Sequence, residues 1–120
     1  MPSDRPILRG DLFWLVQSRP GASDRPHPHL VVQDDVFNRS RLDTVIVMAL
    51  TTNPHRAQEP GNVLLDPGEG GLPRQSVVVV SQLSSVPKDA LLDYIGSLTQ
   101  ERVDQVVRGL GFQQRAGFSR

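Results

Sequence analysis

Two runs of residues dominate what this chain can fold into: 44–51 (TVIVMALT) and 76–82 (SVVVVSQ). Their apolar side chains follow one another without the polar gaps of a half-exposed strand. Each therefore reads as a strand that needs cover on both faces. The whole chain has 120 residues, enough for one domain with a modest core and no more. The expected organisation is a single domain over 1–120, with its core at 7–112 and a polar tail at 113–120.

The other segments fit around these two strands. Up to residue 99, apolar residues recur with period two or in short dense runs, not at helical spacing. Residues 8–17 read as a first strand, with Leu8, Leu12, Trp14 and Val16 on one face and Arg9, Asp11, Phe13 and Leu15 on the other. Pro20, Gly21, Pro26 and Pro28 make 18–28 a loop. It is long for so small a domain, and long ordered loops are often functional. Residues 29–33 read as the second strand, ended by Asp34 and Asp35. Residues 36–42 form a polar connection with one short helical turn. Asn53-Pro54 breaks the third strand, 62–66 and 92–98 add short strands, and 67–71 is a turn. Thr99 then reads as a helix N-cap, with Glu101 in the first turn beside the positive helix end. Val103, Val106, Val107 and Leu110, at i, i+3, i+4 and i+7, lay one apolar stripe on the sheet. Gly111 is the expected stop. The fold class is mainly β: roughly five or six short strands in a small, strongly bent sheet or partial barrel, closed by a C-terminal α-helix.

Composition removes several functions. There is no Cys, which excludes a disulfide framework, thiol catalysis and Cys-ligated zinc or iron–sulfur sites. Lys and Arg total 13 against 13 Asp and Glu. That balance argues against coating nucleic acid by bulk charge and leaves room for a local basic groove. All the basic residues except Lys88 are Arg, the better residue for bidentate phosphate contacts. No stretch approaches the ~20 apolar residues of a membrane span, and the first residues lack the apolar run of a signal peptide. A cytoplasmic protein is expected. Arg9-Gly10-Asp11 and Asn38-Arg39-Ser40 would suggest adhesion and N-glycosylation only with an extracellular address.

The chain has no Gly-rich phosphate loop, metalloprotease pair or nucleophile elbow. Its first informative feature is His27-Pro28-His29. In an extended chain both imidazoles point to the same side. They can then act as base and acid, or supply two ligands of an incomplete metal site, for which Asp34 is the nearest third candidate. The plain alternative is a solvent-facing His27 and a His29 satisfied by backbone. The second feature is Thr51-Thr52, at the end of a buried strand, where a hydroxyl can donate to a phosphate oxygen. Thr is also simply common at strand ends. The third is the set Arg19, Arg25, Arg39, Arg41 and Arg56, whose guanidinium forks suit phosphate, although most read as solvated surface.

The order of short motifs is more telling than any one of them. Arg9-Gly10-Asp11-Leu12-Phe13-Trp14 is followed by Pro28-His29-Leu30-Val31-Val32-Gln33, then by Phe37-Asn38-Arg39-Ser40-Arg41-Leu42-Asp43-Thr44-Val45 and Ala49-Leu50-Thr51-Thr52-Asn53. Pro60-Gly61-Asn62-Val63, Gly71-Leu72-Pro73-Arg74-Gln75-Ser76, Ser81-Gln82-Leu83 and Ile95-Gly96-Ser97-Leu98 come after. This series closely resembles the MazF/PemK family of type II toxin–antitoxin toxins, over nearly the whole chain. The resemblance implies an SH3-like barrel with a terminal helix, usually a homodimer. It implies a ribosome-independent, metal-free, sequence-specific endoribonuclease without cofactor, cutting single-stranded RNA at short sequences. The 2′-hydroxyl would be the nucleophile, leaving a 2′,3′-cyclic phosphate and a 5′-hydroxyl. The implied partner is a cognate antitoxin that lays an acidic C-terminal segment across the RNA groove and mediates any contact with DNA.

By the same resemblance, Thr51 takes the position of the family's catalytic Thr. The family's catalytic Arg has no counterpart, because His27 fills the slot before Pro28. The usual Gly-Ser-Glu-Gln loop reads Gly21-Ala22-Ser23-Asp24 here. The implied catalytic set is His27, Thr51 and Arg25, with Arg19, Ser23, Asp24, Thr52 and Asn53 on the RNA. Three arrangements are open: His27 in the Arg role, Arg25 supplying charge while His27 moves the proton, or a weakened site. Phe13, Trp14, Phe37 and Tyr94 read mostly as structural. The competing classes are a CcdB-like toxin that acts on gyrase by binding, an inert SH3-like module, and a metal hydrolase using His27, His29 and Asp34.

Overall fold

Alternate residues of the same strands build two separate cores. The structure, a computed structural model, describes residues 5–16 and 25–116. Its strands are β1 (Asp11–Val16), β2 (Pro26–Val31), β3 (Thr44–Thr51), β4 (Val63–Leu65), β5 (Ser76–Pro87) and β6 (Tyr94–Ser97). They form one antiparallel sheet in the order β4-β5-β3-β2-β1-β6. The helices are α1 (Asp35–Asn38) and α2 (Gln100–Ala116). Leu12, Leu30, Met48, Leu50, Val78 and Val80 point to one face, where Val103 and Val106 of α2 close over them. Phe13, Leu15, Val31, Val45 and Val47 point to the other, covered by Leu91, Tyr94 and Val86. Both dense runs are thus covered on both sides except at Ile46, which is 37% exposed, and each fully buried aliphatic contributes about 1.5–3 kcal/mol.

The sheet curls until its edges meet. A Cβ added to Gly96 of β6 would strike the Gly70 carbonyl in the turn between β4 and β5, so those backbones touch. Gly109 does the same for the helix, because its missing Cβ lets α2 settle onto the Gly61 carbonyl. The expected partial barrel with a C-terminal helix is observed.

Four boundaries differ from expectation, each for a local reason. The first strand begins at Asp11, not at residue 8, because Leu8 N–H donates to Asp11 Oδ2 (3.0 Å), Asp11 N–H donates back to Leu8 O (3.0 Å), and Gly10 turns the chain at φ 96°. β2 begins at Pro26, so His27 lies in a strand and not in the loop. β5 continues past residue 82 to Pro87, repairing with β3 after a bulge between Met48 and Leu50. α2 runs through Gly111 to Ala116. Gly111 does not take the left-handed conformation that would end a helix.

The two surface motifs are structural. Asp11 is buried and accepts from Ser97 Oγ at 2.7 Å, while Arg9 Nε donates to Val32 O at 2.8 Å. Asn38 is buried and donates from Nδ2 to Gln33 O at 2.8 Å. Phe37, expected to be structural, is 54% exposed. It lines an apolar groove of about 440 Å³ with Leu42, Ile46, Leu83 and Val107. No helix among the described residues is long and apolar enough to cross a membrane.

Candidate active site

Two prolines open the sheet at one rim. Val16, the last residue of β1, pairs with Pro26, the first of β2, and β3 ends at the same rim with Thr51. Val32 N–H donates to Ile46 O at 3.1 Å, and Leu30 pairs with Met48, so the even-numbered residues of β2 turn their N–H toward β3. Trp14, opposite Pro28, sends its own N–H away from β2 to Asp93 O at 3.0 Å. The next bonded pair would be Pro28 with Leu50, and Pro28 has no N–H to give. Pairing between β2 and β3 accordingly stops at His29 and Ala49. Carried two residues further, the same register would set His27 across from Thr51.

Strand alternation puts both groups on the face that holds Val31 and Val47. Thr51 is half-buried, and its Oγ1 accepts from Asn53 N–H at 3.2 Å. With that lone pair used, its O–H is available to donate outward. Asn53 Oδ1 accepts from His55 N–H at 3.1 Å, which caps the turn Pro54–Gln58. The half-buried His27 offers its carbonyl to His29 Nδ1 at 2.9 Å. A carbonyl only accepts, so His29 Nδ1 carries the proton and the neutral ring leaves Nε2 bare. Burial pushes the His29 imidazole below its ordinary range; the bond to the His27 carbonyl opposes this, and charge on His27 adds to it. The neutral tautomer is therefore the resting form at neutral pH.

The structure gathers part of the expected set. His27 and Thr51 share a rim and a face, and the exposed Arg25 stands directly before β2 at that rim. Thr52 and Asn53 are exposed just beyond Thr51. Arg19, Ser23 and Asp24 lie outside the described residues. Arg39 and Arg41 stand near the start of β3, at the opposite end of the sheet. Arg56 is paired with Glu59 at 2.5 Å. Asp34 caps α1 through Val36 N–H at 2.9 Å, also at the far end of β2, so it does not join His27 and His29 as a third ligand. Among the described residues no group of three or more His, Cys, Asp or Glu side chains could hold a metal ion.

Two groups at this rim escaped the sequence reading. Arg74 is exposed just before β5, and the pairing of Thr51 with Val77 brings it beside the end of β3. Its motif was legible, but nothing local distinguished this Arg from the others. The second is His29 Nε2, whose setting depends on long-range pairing.

A profile of the family described as "PemK-like, MazF-like toxin of type II toxin-antitoxin system" matches residues 8–113. Endoribonuclease MazF6 of Mycobacterium tuberculosis (strain H37Rv) is 38% identical over 106 residues, covering 87% of this chain and 93% of the relative. Endoribonuclease EndoA of Bacillus subtilis (strain 168) is 33% identical over 106 residues, covering 87% and 90%. A solved mycobacterial endoribonuclease in complex with its cognate antitoxin superposes with a TM-score of 0.72 at 25% identity, covering 88% of this chain and 92% of that one. MazF of Deinococcus radiodurans has a TM-score of 0.73 at 18% identity, covering 92% and 98%, and shares the fold.

Proposed function

The chain belongs to the PemK-like, MazF-like toxin family of type II toxin–antitoxin systems, and on that premise we propose that it is an endoribonuclease cutting single-stranded RNA. One observation carries the reading: relatives at 38% and 33% identity, matched over nearly their whole length, are named endoribonucleases. The rim supplies groups suited to the reaction. The 2′-hydroxyl attacks phosphorus, the phosphorus–5′-oxygen bond breaks, and a 2′,3′-cyclic phosphate and a 5′-hydroxyl remain. No metal is needed in this scheme. His27 takes the 2′-hydroxyl proton and returns it to the leaving 5′-oxygen, the imidazole acting first as base and then as acid. The Thr51 O–H donates to a non-bridging oxygen, and Arg25 balances the charge gathered on the phosphorane. Thr52 and Asn53, exposed beyond Thr51, contact the RNA, and by the family's pattern Arg19, Ser23 and Asp24 do so as well.

The same premise supports two partners. One is a second copy of the chain, forming a homodimer. The other is a cognate antitoxin whose acidic C-terminal segment competes with RNA for the cationic rim. Both follow from the family, and the second also from the charge the rim offers to phosphate.

The test is to incubate the purified protein with a 5′-labelled single-stranded RNA in the presence of a chelator and analyse the new ends. Cleavage with cyclic-phosphate and 5′-hydroxyl termini is expected. Intact RNA, or fragments ending in 3′-hydroxyl and 5′-phosphate, would overturn the proposal.

A further inference from the structure

Inward from His27 and Thr51 the same sheet face holds a cavity of about 330 Å³. His29 and Leu15 lie on one side of it, Ser81, Gln82 and Ser84 on the other, and Ala49 between them. The pairings explain its shape. His29 of β2 pairs with Ala49 of β3, and Val47 of β3 pairs with Ser84 of β5. His29 and Ser84 therefore line the same space two strands apart and offset by two residues along them, about 12 Å. The floor between them is the methyl of Ala49, too small to fill it.

The cavity has one fixed polar group. His29 is only 3% exposed, and its Nδ1 is committed to the His27 carbonyl. Among the described residues no hydrogen-bond partner meets Nε2, yet no buried side-chain nitrogen or oxygen lacks one. Nε2 is thus the part of the ring that reaches the cavity, as an acceptor. The serine hydroxyls and the Gln82 amide opposite can donate or accept. Leu15, Val16 and Ala49 supply apolar surface for the faces of a ring. A flat heterocycle with an N–H on its edge matches this lining, and an aliphatic or strongly anionic ligand does not.

We propose that this cavity is a nucleobase pocket, in which His29 Nε2 accepts an N–H from the edge of the base next to the scissile phosphate. The proposal rests on the ribonuclease reading for its placement. His27 and His29 are two residues apart on one strand face, about 7 Å, and Ala49 and Thr51 are spaced likewise. The pocket therefore lies one nucleotide away from the groups assigned to the phosphate. It makes His29 a specificity residue, distinct from the pair at the rim.

Two measurements test it. The first follows the His29 ring nitrogens by NMR in the wild-type protein while each of the four ribonucleoside 3′-monophosphates is added. A saturable shift of Nε2 with at least one nucleotide is expected. Saturation of the rim by nucleotides with Nε2 unmoved, or no binding by any of the four, would overturn the pocket. The second sequences cleavage sites in a random RNA pool for wild type, His29→Leu, His29→Gln and Ala49→Leu. His29→Leu and Ala49→Leu should each flatten base preference at one position beside the cut by about tenfold, the loss of one good hydrogen bond, and His29→Gln should retain part of it. An unchanged profile in both Leu variants would overturn the proposal. If the wild type cuts no RNA, the ribonuclease reading falls, and the nucleotide titration still decides the pocket.

Discussion

The helix-covered face and the opposite face of this sheet are made by the same strands, yet they end differently. Along the first, Leu12, Leu30, Met48 and Leu50 run unbroken beneath Val103 and Val106. Along the second, Phe13, Val31, Val45 and Val47 are equally buried, but two residues onward the series becomes His29 and Ala49, then His27 and Thr51. The first face holds the fold, and where it opens, at the groove of Phe37, Leu42, Ile46 and Leu83, its lining is mostly apolar. The unfilled end of the other carries polar groups where apolar ones would pack better, and there the sheet also comes apart for want of the Pro28 N–H. A face that gives up packing at one end only, beside an opening in its ladder, marks the place where chemistry is to be sought.

That contrast is breakable in order of effect. His27→Ala should lower RNA cleavage by about a hundredfold or more, the contribution of a positioned acid–base group. Thr51→Val should lower it by about tenfold to a hundredfold through loss of one donor. Both should leave thermal unfolding near that of the wild type, measured by circular dichroism. A large loss of stability in either would return that residue to a packing role. Met48→Ala, on the first face, should show the reverse. A fully buried Met costs about 2–5 kcal/mol when truncated, read as a lower urea midpoint. Gly109→Ala should cost about 1–3 kcal/mol, because a Cβ there meets the Gly61 carbonyl.

The smallest effect is a pH dependence at the boundary between the two regions. Burial holds His29 below the ordinary value of 6.5, so the unfolded chain takes up a proton at a pH where the folded one resists it. Stability from this group is intact above about pH 6.5 and is lost as pH falls toward the folded value, with a slope of at most about 1.4 kcal/mol per pH unit. Urea unfolding between pH 7.5 and 5.5 should therefore decline less steeply for His29→Gln than for wild type. Equal slopes would mean that the imidazole is as well solvated in the folded protein as in the unfolded one.

Much of this contrast could be read without coordinates. The dense runs at 44–51 and 76–82 placed β3 and the start of β5, and the apolar stripe from Val103 to Leu110 placed α2, because burial patterns are local in sequence. The boundaries that shifted depend on partners elsewhere. Pro26 and Pro28 look like loop residues until β1 is seen to accept them on the side where no N–H is needed. Gly111 looks like a stop until it stays helical and Gly109 is found against Gly61. His27 and Thr51 were legible as candidates because each sits beside a recognisable break. His29 was legible as an acid–base or metal-ligand partner of His27 or as a backbone-satisfied residue; the last describes Nδ1 and none of them places Nε2 in a cavity. The cavity beneath it is made by residues from β1, β2, β3 and β5, and no window of sequence contains them together.

In the proposed reaction the opened rim between β2 and β3 performs the cut. Single-turnover cleavage of one labelled single-stranded RNA by wild type, His27→Ala and Met48→Ala, at a temperature where all three are folded, tests it most directly. His27→Ala should fall by at least about a hundredfold while Met48→Ala keeps a rate close to wild type. Equal rates for wild type and His27→Ala would contradict it.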